Sequence, residues 1–387
     1  MTALSRNSKS SAHVGVYVQV PFCRAKCTYC NFSTGVFSDL LHSPYVNAVC
    51  KEIRESPSLR DANADTIYIG GGTPSLLHPE DISQILAAIR ESYGGNWQEV
   101  TLEADPETIT TEKARHWRSV GVNRISMGVQ SFCDAELRAA GRMHRPDDVY
   151  RANEILRQSQ FANVSMDLIA GLPHQTRESW TASLRELIAL RPEHVSVYLL
   201  EVDNGSRLGR EILHGGQKYS AAAVPTDDDM ADFYEFACVA LRDAGYDHYE
   251  ISNWALPHRS SRHNLKYWRR EPYLGFGAGA HSFDGARRWA NLREPAAYAS
   301  AVRERNCAIE SEEMVTPAQA REEEFFLGLR ELAGIHLERL PGELDAGTSA
   351  RIEKLSRDGL LERDGDLIRL NPAKLTISNE VFVELLG

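Results

Sequence analysis

The sequence predicts an α/β protein built on six parallel strands, with a smaller unit at its C-terminal end. Three observations carry this. Six short β-branched runs, at 16–20, 66–69, 100–103, 124–127, 164–169 and 194–199, are apolar on both faces and end on Gly, Pro or polar residues, as buried parallel strands do. Helical patterns lie between them, and six β–α alternations argue for a parallel barrel, closed or open, with right-handed crossovers. A doubly wound open sheet shares that periodicity. Third, the composition changes near residue 310, where an acidic stretch at 312–324 begins.

Each helix is marked by its own signals. Pro79 heads a stripe of Ile82, Ile85, Leu86 and Ile89 at i, i+3, i+4, i+7 spacing. Pro146 stands before Val149, Ala152, Ile155 and Leu156, and a looser stripe takes in Tyr45, Val49 and Leu59. Thr226 with Asp229 has capping-box spacing, followed by Met230, Phe233, Phe236, Ala237 and Leu241. In the last part, Phe325, Phe326, Leu329 and Leu332 mark an amphipathic helix, then come 352–361, a turn at 363–366 and a strand at 367–370. This reads as a small, mostly helical domain with a wing. The expected division is a disordered leader over 1–13, a barrel over 14–305 and a small domain over 306–387.

At 387 residues the chain exceeds one ordinary core. With 42% hydrophobic and 25% charged residues it has an average globular composition. A net charge of −11 argues against a general binder of nucleic acid or acidic membranes, while permitting a local basic patch. No run of 18 apolar residues is present, and the first dozen residues lack the apolar stretch of a signal peptide. A cytoplasmic location is the expectation.

Seven cysteines stand at 23, 27, 30, 50, 133, 238 and 307. Three within eight residues make a poor disulfide framework and a good metal loop. PFCRAKCTYCNF places Cys23, Cys27 and Cys30 in a C-x3-C-x2-C pattern directly after the first strand. Three thiolates can cap three irons of a [4Fe–4S] cubane and leave the fourth without a protein ligand. Structural zinc is the competing reading, but it needs four ligands, and no fourth Cys lies nearby. Cys50 shares a helical face with Val46, Val49 and Ile53 and reads as a core thiol.

This cysteine pattern, with an aromatic before the third Cys, resembles the radical-SAM superfamily, whose fold is a partial (β/α)6 barrel. The flanking segments VYVQVPFC, YIGGGTPSLL, TLEADPETIT, NRISMGVQSF, MDLIAGLPHQT and HNLKYW resemble the oxygen-independent coproporphyrinogen III dehydrogenase group and, within it, HemW-type haem chaperones. The likeness is strong over roughly 14–290, and the C-terminal region resembles the group's small terminal domain. It implies S-adenosylmethionine (SAM) as cofactor, contacted by Tyr17, Gly71, Gly72, Thr73 and Glu103. Tyr29, Gln130, Arg142 and Asp167 would line the same cavity at the C-terminal ends of the strands. Glycines there admit close approach to the backbone. Glu103 can accept from ribose hydroxyls or an ammonium, and Arg142 can hold a carboxylate bidentately. Strand-end carboxylates that cap a helix or pair a lysine are the bland alternative for Glu103 and Asp167.

Two departures from the dehydrogenases bear on function. Their cluster motif continues with a Cys where Phe32 stands here, and their longer N-terminal arm is missing before Cys23. In addition, His263 to Trp268 reads HNLKYW, which matches the HNxxYW motif tied to haem in the HemW-type group. The resemblance makes His263 a candidate axial ligand and Tyr267 and Trp268 candidate faces for a porphyrin. Arg259, Arg262, Lys266, Arg269 or Arg270 would pair propionates. A solvated basic loop or an RNA patch is the alternative. GFGAGAHSF, at 275–283, follows no evident strand, opens no helix and is not a dinucleotide fingerprint.

The expected function is therefore a haem chaperone that carries a SAM-liganded cluster and hands haem to an unidentified acceptor protein. No nucleic acid is expected as partner, and membrane contact is expected only through the acceptor. Oxidative decarboxylation of coproporphyrinogen III is the alternative, and RNA modification a third.

Overall fold

Residues 13–342 and 344–386 are described by the structure, a computed structural model. The leader expected over 1–13 lies outside the described residues except for His13, which already opens the first strand. The six expected strands form at β1 (His13–Val20), β2 (Asn63–Gly71), β3 (Glu99–Ala104), β4 (Arg124–Gln130), β5 (Val164–Ala170) and β6 (His194–Leu199). Between them run α1 (His42–Glu55), α2 (Pro79–Tyr93), α3 (Thr111–Ser119), α4 (Asp134–Ala140), α5 (Pro146–Gln158) and α6 (Arg177–Leu190). Pro79 and Pro146 each stand at the first helical position, where a missing N–H costs nothing.

Strands β1 to β6 neighbour one another in chain order and are all parallel. A doubly wound sheet reverses its order part-way, so this topology selects the barrel. The sheet curls enough that Tyr68 on β2, Glu103 on β3, Ser126 on β4, Asp167 on β5 and Ser196 on β6 face one cavity. It does not close. After α7 (Arg207–Leu213) and α8 (Asp227–Asp243), the hairpin β7 (Asp247–Glu250) and β8 (Asn253–Ala255) adds antiparallel strands beside β6. The Thr226 side chain caps α8, as its spacing with Asp229 predicts. On the other side, α9 (Arg262–Trp268) leads to β9 (Tyr273–Phe276), which pairs parallel with β1. Strands β10 (His281–Phe283) and β11 (Arg287–Asn291) follow, then α10 (Pro295–Arg305).

Four expectations need correction. Leu59 lies beyond α1, in a turn with φ +50°. The segment 275–283 contains the end of β9 and all of β10, whose short length hid them. Strand β12 (Ile309–Met314), placed by composition in the terminal unit, pairs antiparallel with β11. Every residue of β12 is exposed, so it carries no apolar signature of a strand. Finally, α11 (Pro317–Gly328) stops before Leu332. There the chain bridges Glu331 to Glu250 at the barrel edge, and Leu332 N–H donates to the Tyr249 carbonyl.

The small C-terminal sheet has the order β13 (Ile335–His336), β15 (Leu367–Leu370), β14 (Leu361–Asp364). The β14–β15 turn uses Gly365 at φ +60°, and α12 (Ala346–Arg357) and α13 (Ser378–Leu386) pack beside it. The main apolar core runs from Val14 in β1 to Leu385 in α13 and includes Cys50, and a smaller cluster around Leu172, Leu200, Leu208 and Met230 lies apart from it.

Candidate cluster and cofactor site

The cysteine loop leaves β1 at the C-terminal end of the barrel and is tied at several points. Cys23 N–H donates to the Gly35 carbonyl at 2.9 Å and Gly35 N–H to the Pro21 carbonyl at 3.0 Å. Thr28 N–H reaches the Ala140 carbonyl, behind α4, at 2.9 Å. All three cysteines are half-buried, free of disulfides, and line one cavity of about 640 Å³, within the range of organic-ligand sites. Among the described residues no three donors converge as ligands of a single ion. A cubane does not need such convergence, because each thiolate holds a different iron. Burial pushes the Cys23 thiol up to about 11, so thiolate formation there depends on the charge of bound iron.

The glycine turn after β2 is shaped by this loop. Gly72 N–H donates to the Val20 carbonyl and Thr73 N–H to the Phe22 carbonyl, both at 2.7 Å. A Cβ on Gly72 would fall 2.6 Å from the Phe22 carbonyl oxygen and 3.0 Å from Cys23 Sγ. Gly71 has φ +113°, and a Cβ there would meet Gln19 Nε2 at 2.4 Å. These glycines thus bring the second strand's turn against the cluster loop, and that close packing requires them.

Glu103 accepts from Gly71 N–H at 2.8 Å and Tyr68 Oη–H at 2.7 Å. Burial nevertheless pushes its carboxyl up to about 7, and burial likewise raises Asp167 to about 6. Arg142 is already engaged: its guanidinium pairs with Asp105, donates to the Gly128 carbonyl at 2.8 Å, and lies 3.7 Å from Cys27 Sγ. It therefore stands beside the cluster loop as a compensated charge. Gln130 follows a β-bulge and takes φ +66°.

Of the expected SAM-cavity residues, Tyr29, Gly71, Gly72, Thr73, Glu103, Gln130, Arg142 and Asp167 line the same cavity as the cysteines. Tyr17 stands behind that wall, stacked on Tyr68 at 6.1 Å with its hydroxyl on Gln19 Oε1 at 2.5 Å. Sequence reasoning missed Asp105, which also accepts from Thr73 Oγ1 at 3.0 Å. It passed over Arg124, Asn264 and His194, all of which line the cavity. The available signal for Arg124 was a charged residue opening an otherwise apolar strand.

Of the HNLKYW segment only Asn264 lines this cavity, and the rest does something different. It forms α9, which closes the barrel at the opposite, N-terminal end of the strands. Glu99, first in β3, accepts from the Arg262 and His263 N–H groups, both at 3.0 Å. Gly15 lacks the Cβ that would press on Lys266 Cδ at 3.0 Å and His263 Cε1 at 3.2 Å. His263 is 0% exposed. Its Nδ1 is 3.0 Å from Thr66 Oγ1 and its Nε2 2.8 Å from Tyr267 Oη. Burial, with Lys266 nearby, lowers its pKa to about 3.

In this arrangement both ring nitrogens of His263, the candidate axial ligand, are occupied inside the protein. Tyr267 packs edge-on against His263 and Tyr273, and Trp268 lies under the Arg330 guanidinium at 4.7 Å. The neighbouring cations are also committed. Lys266 pairs with Asp65 and Glu271, Arg269 with Glu331, and Arg270 with Glu323 and Glu324. Arg262 donates to Gln98. Part of the acidic stretch near 312–324 is the counter-charge of this basic segment, a pairing of distant residues that sequence spacing does not reveal.

A parallel partial barrel with three clustered cysteines at its C-terminal face defines a radical-SAM protein, and the radical SAM superfamily profile matches residues 17–187. The HemN C-terminal domain profile matches residues 315–373. The heme chaperone HemW of Bacillus subtilis (strain 168) is 32% identical over 378 residues, which cover 96% of this chain and 98% of the relative. HemW of Synechocystis is 36% identical over 335 residues, 84% and 80% of the two chains. The mouse mitochondrial radical S-adenosyl methionine domain-containing protein 1 is 31% identical over 399 residues, 97% and 88%. The chain belongs to the HemW family of radical-SAM proteins. Among solved structures, coproporphyrinogen III oxidase (HemN) from Escherichia coli superposes with a TM-score of 0.83 over 97% of this chain and 90% of its own, at 22% identity, a likeness of fold. Among the described residues no helix is long and apolar enough to cross a membrane.

Proposed function

We propose that this protein is a haem chaperone that holds a [4Fe–4S] cluster on Cys23, Cys27 and Cys30, binds SAM against Gly71–Thr73 and Glu103, and passes haem to an acceptor protein. Kinship with HemW proteins along nearly the whole chain carries this reading. The cluster supplies an iron open to chelation by the amino and carboxylate groups of SAM. Glu103, Tyr29, Gln130 and Asp167 orient a ligand on the cavity wall, and Arg142 offsets thiolate charge beside Cys27. The cavity mouth supports a role in holding a flat apolar molecule, since Phe32, Tyr198 and Leu199 line it and are 66%, 42% and 37% exposed. Ligation by His263 would require α9 to leave the barrel floor. The pairing of Arg269 and Arg270 with carboxylates beside α9 speaks against an RNA substrate.

The deciding experiment is anaerobic reconstitution of the cluster, followed by haem titration and a coproporphyrinogen III assay on one preparation. Stoichiometric haem binding without conversion of coproporphyrinogen is expected. Multiple turnovers would restore the decarboxylase reading, and absence of haem binding would remove the chaperone.

A further inference from the structure

Three arginines line the barrel cavity, and they differ in what they bind. Arg142 is paired with Asp105 and Arg330 with Glu250. Arg124 is 1% exposed, yet no carboxylate lies at ion-pair distance from its guanidinium among the described residues. Its Nε and Nη1 are buried without a partner. A guanidinium taken from water and left unpaired is costly, and a fold that only needed a structural cation would pair it. Carboxylates on the two neighbouring strands, β3 and β5, leave it unpaired. Glu99 is committed to the N–H groups that open α9. Asp167, on the adjacent strand, feels the charge of Arg124, yet its Oδ1 is buried without a partner and the side chain is held by Ser196 and Ser165.

We propose that Arg124 anchors a carboxylate-binding subsite at the floor end of the cavity, opposite the cluster loop, for a carboxylate of the organic molecule that fills it. Besides Asp167, the groups that line the same space near the anchor are neutral: Ser126, Asn264 and His194. His194 is held by Ser165 and Tyr249, both at 2.8 Å, and burial with Arg124 nearby keeps it uncharged. One planar fork among neutral donors matches a carboxylate, which it can bind bidentately, better than it matches a phosphate dianion. Asn264 gives the α9 segment a part in this site, since it is the member of HNLKYW that reaches the cavity. The subsite rests on the chaperone reading and deepens it by naming what would hold a propionate; a SAM carboxylate could reach it only from a molecule not chelated at the cluster, and the second arm of the test checks for that.

The test uses full-length, cluster-reconstituted protein and its Arg124→Met and Arg124→Lys variants, with intact iron–sulfur spectra as the check on folding. In one arm haem is titrated against haem dimethyl ester, in the other SAM against decarboxylated SAM. Wild type should prefer haem over the ester by about ten- to a hundredfold. Arg124→Met should lose that preference, and Arg124→Lys should keep part of it. Loss of preference only in the SAM arm would assign the subsite to the SAM carboxylate. Unchanged preferences in both arms would overturn the proposal, as would wild type binding haem and its ester equally with the SAM arm unmoved. Should Arg124→Met fail to fold, the wild-type preference and Arg124→Lys decide in its place. Wild type that binds no porphyrin removes the chaperone reading but leaves the SAM arm to judge Arg124.

Discussion

The two ends of the barrel carry equally legible motifs and have opposite physical characters. At the C-terminal end, three thiols, two carboxyls raised by burial and an exposed aromatic surround open space. At the N-terminal end, His263, Lys266 and Tyr267 bond to one another's neighbours and leave nothing to offer. Residues that look reactive in sequence are reactive only where the fold leaves them unsatisfied. A histidine whose two ring nitrogens are both occupied in a dry site is a structural part. The HNLKYW segment, read alone, suggests a ligand surface, whereas in the fold its main work is to seal a barrel that the sheet does not close.

The largest effect that could break this contrast lies at the cluster. Alanine at Cys23, Cys27 or Cys30 should abolish the roughly four irons per chain of an anaerobically reconstituted sample. Cys50→Ala, in the core, should retain them. Iron analysis with absorption spectra decides, and stoichiometric zinc in wild type would overturn the cluster assignment. Next comes His263→Ala. If α9 is a plug, urea unfolding should show a loss of about 1–3 kcal/mol from the stranded Thr66 and Tyr267 hydroxyls, with the iron–sulfur spectrum unchanged. A shifted Soret band at wild-type stability would instead make His263 a ligand that the floor releases.

Proton linkage should separate the ends as well. Glu103 titrates near 7 in the fold, above its unfolded value of about 4.3, so the native state holds the extra proton between them. Stability then falls as pH rises through that window, and Glu103→Gln should flatten the fall. His263 has the reverse sign. Its folded value near 3 lies below its unfolded value of about 6.5, so its contribution is present above 6.5 and declines as pH drops toward 3. His263→Gln should flatten that decline. Urea midpoints of the iron-free protein from pH 4 to 8 measure both, and identical profiles for the two variants would erase the distinction. The smallest effect is expected at the rim: Arg269→Ala removes a partly exposed pair with Glu331 and should cost about 0.2–1 kcal/mol, reduced by salt. A larger, salt-independent loss would mean that this pair fastens the terminal domain to α9.

By itself the sequence determined the six parallel strands, the helices behind Pro79, Pro146 and Thr226, the cysteine loop and most of the cavity wall beside it. Buried parallel strands and capped helices are written in local patterns, and three cysteines on one loop are neighbours in any fold. Tertiary structure alone decided the order of strands that makes a barrel, the pairing of the exposed, charged β12, and the enclosure of His263. It also decided that Arg142 is compensated by Asp105 while Arg124 is not. Charges and hydrogen-bond partners in those cases come from residues tens to hundreds of positions apart. Which of two similar side chains is satisfied depends on desolvation and distance, and neither quantity exists until the chain has folded.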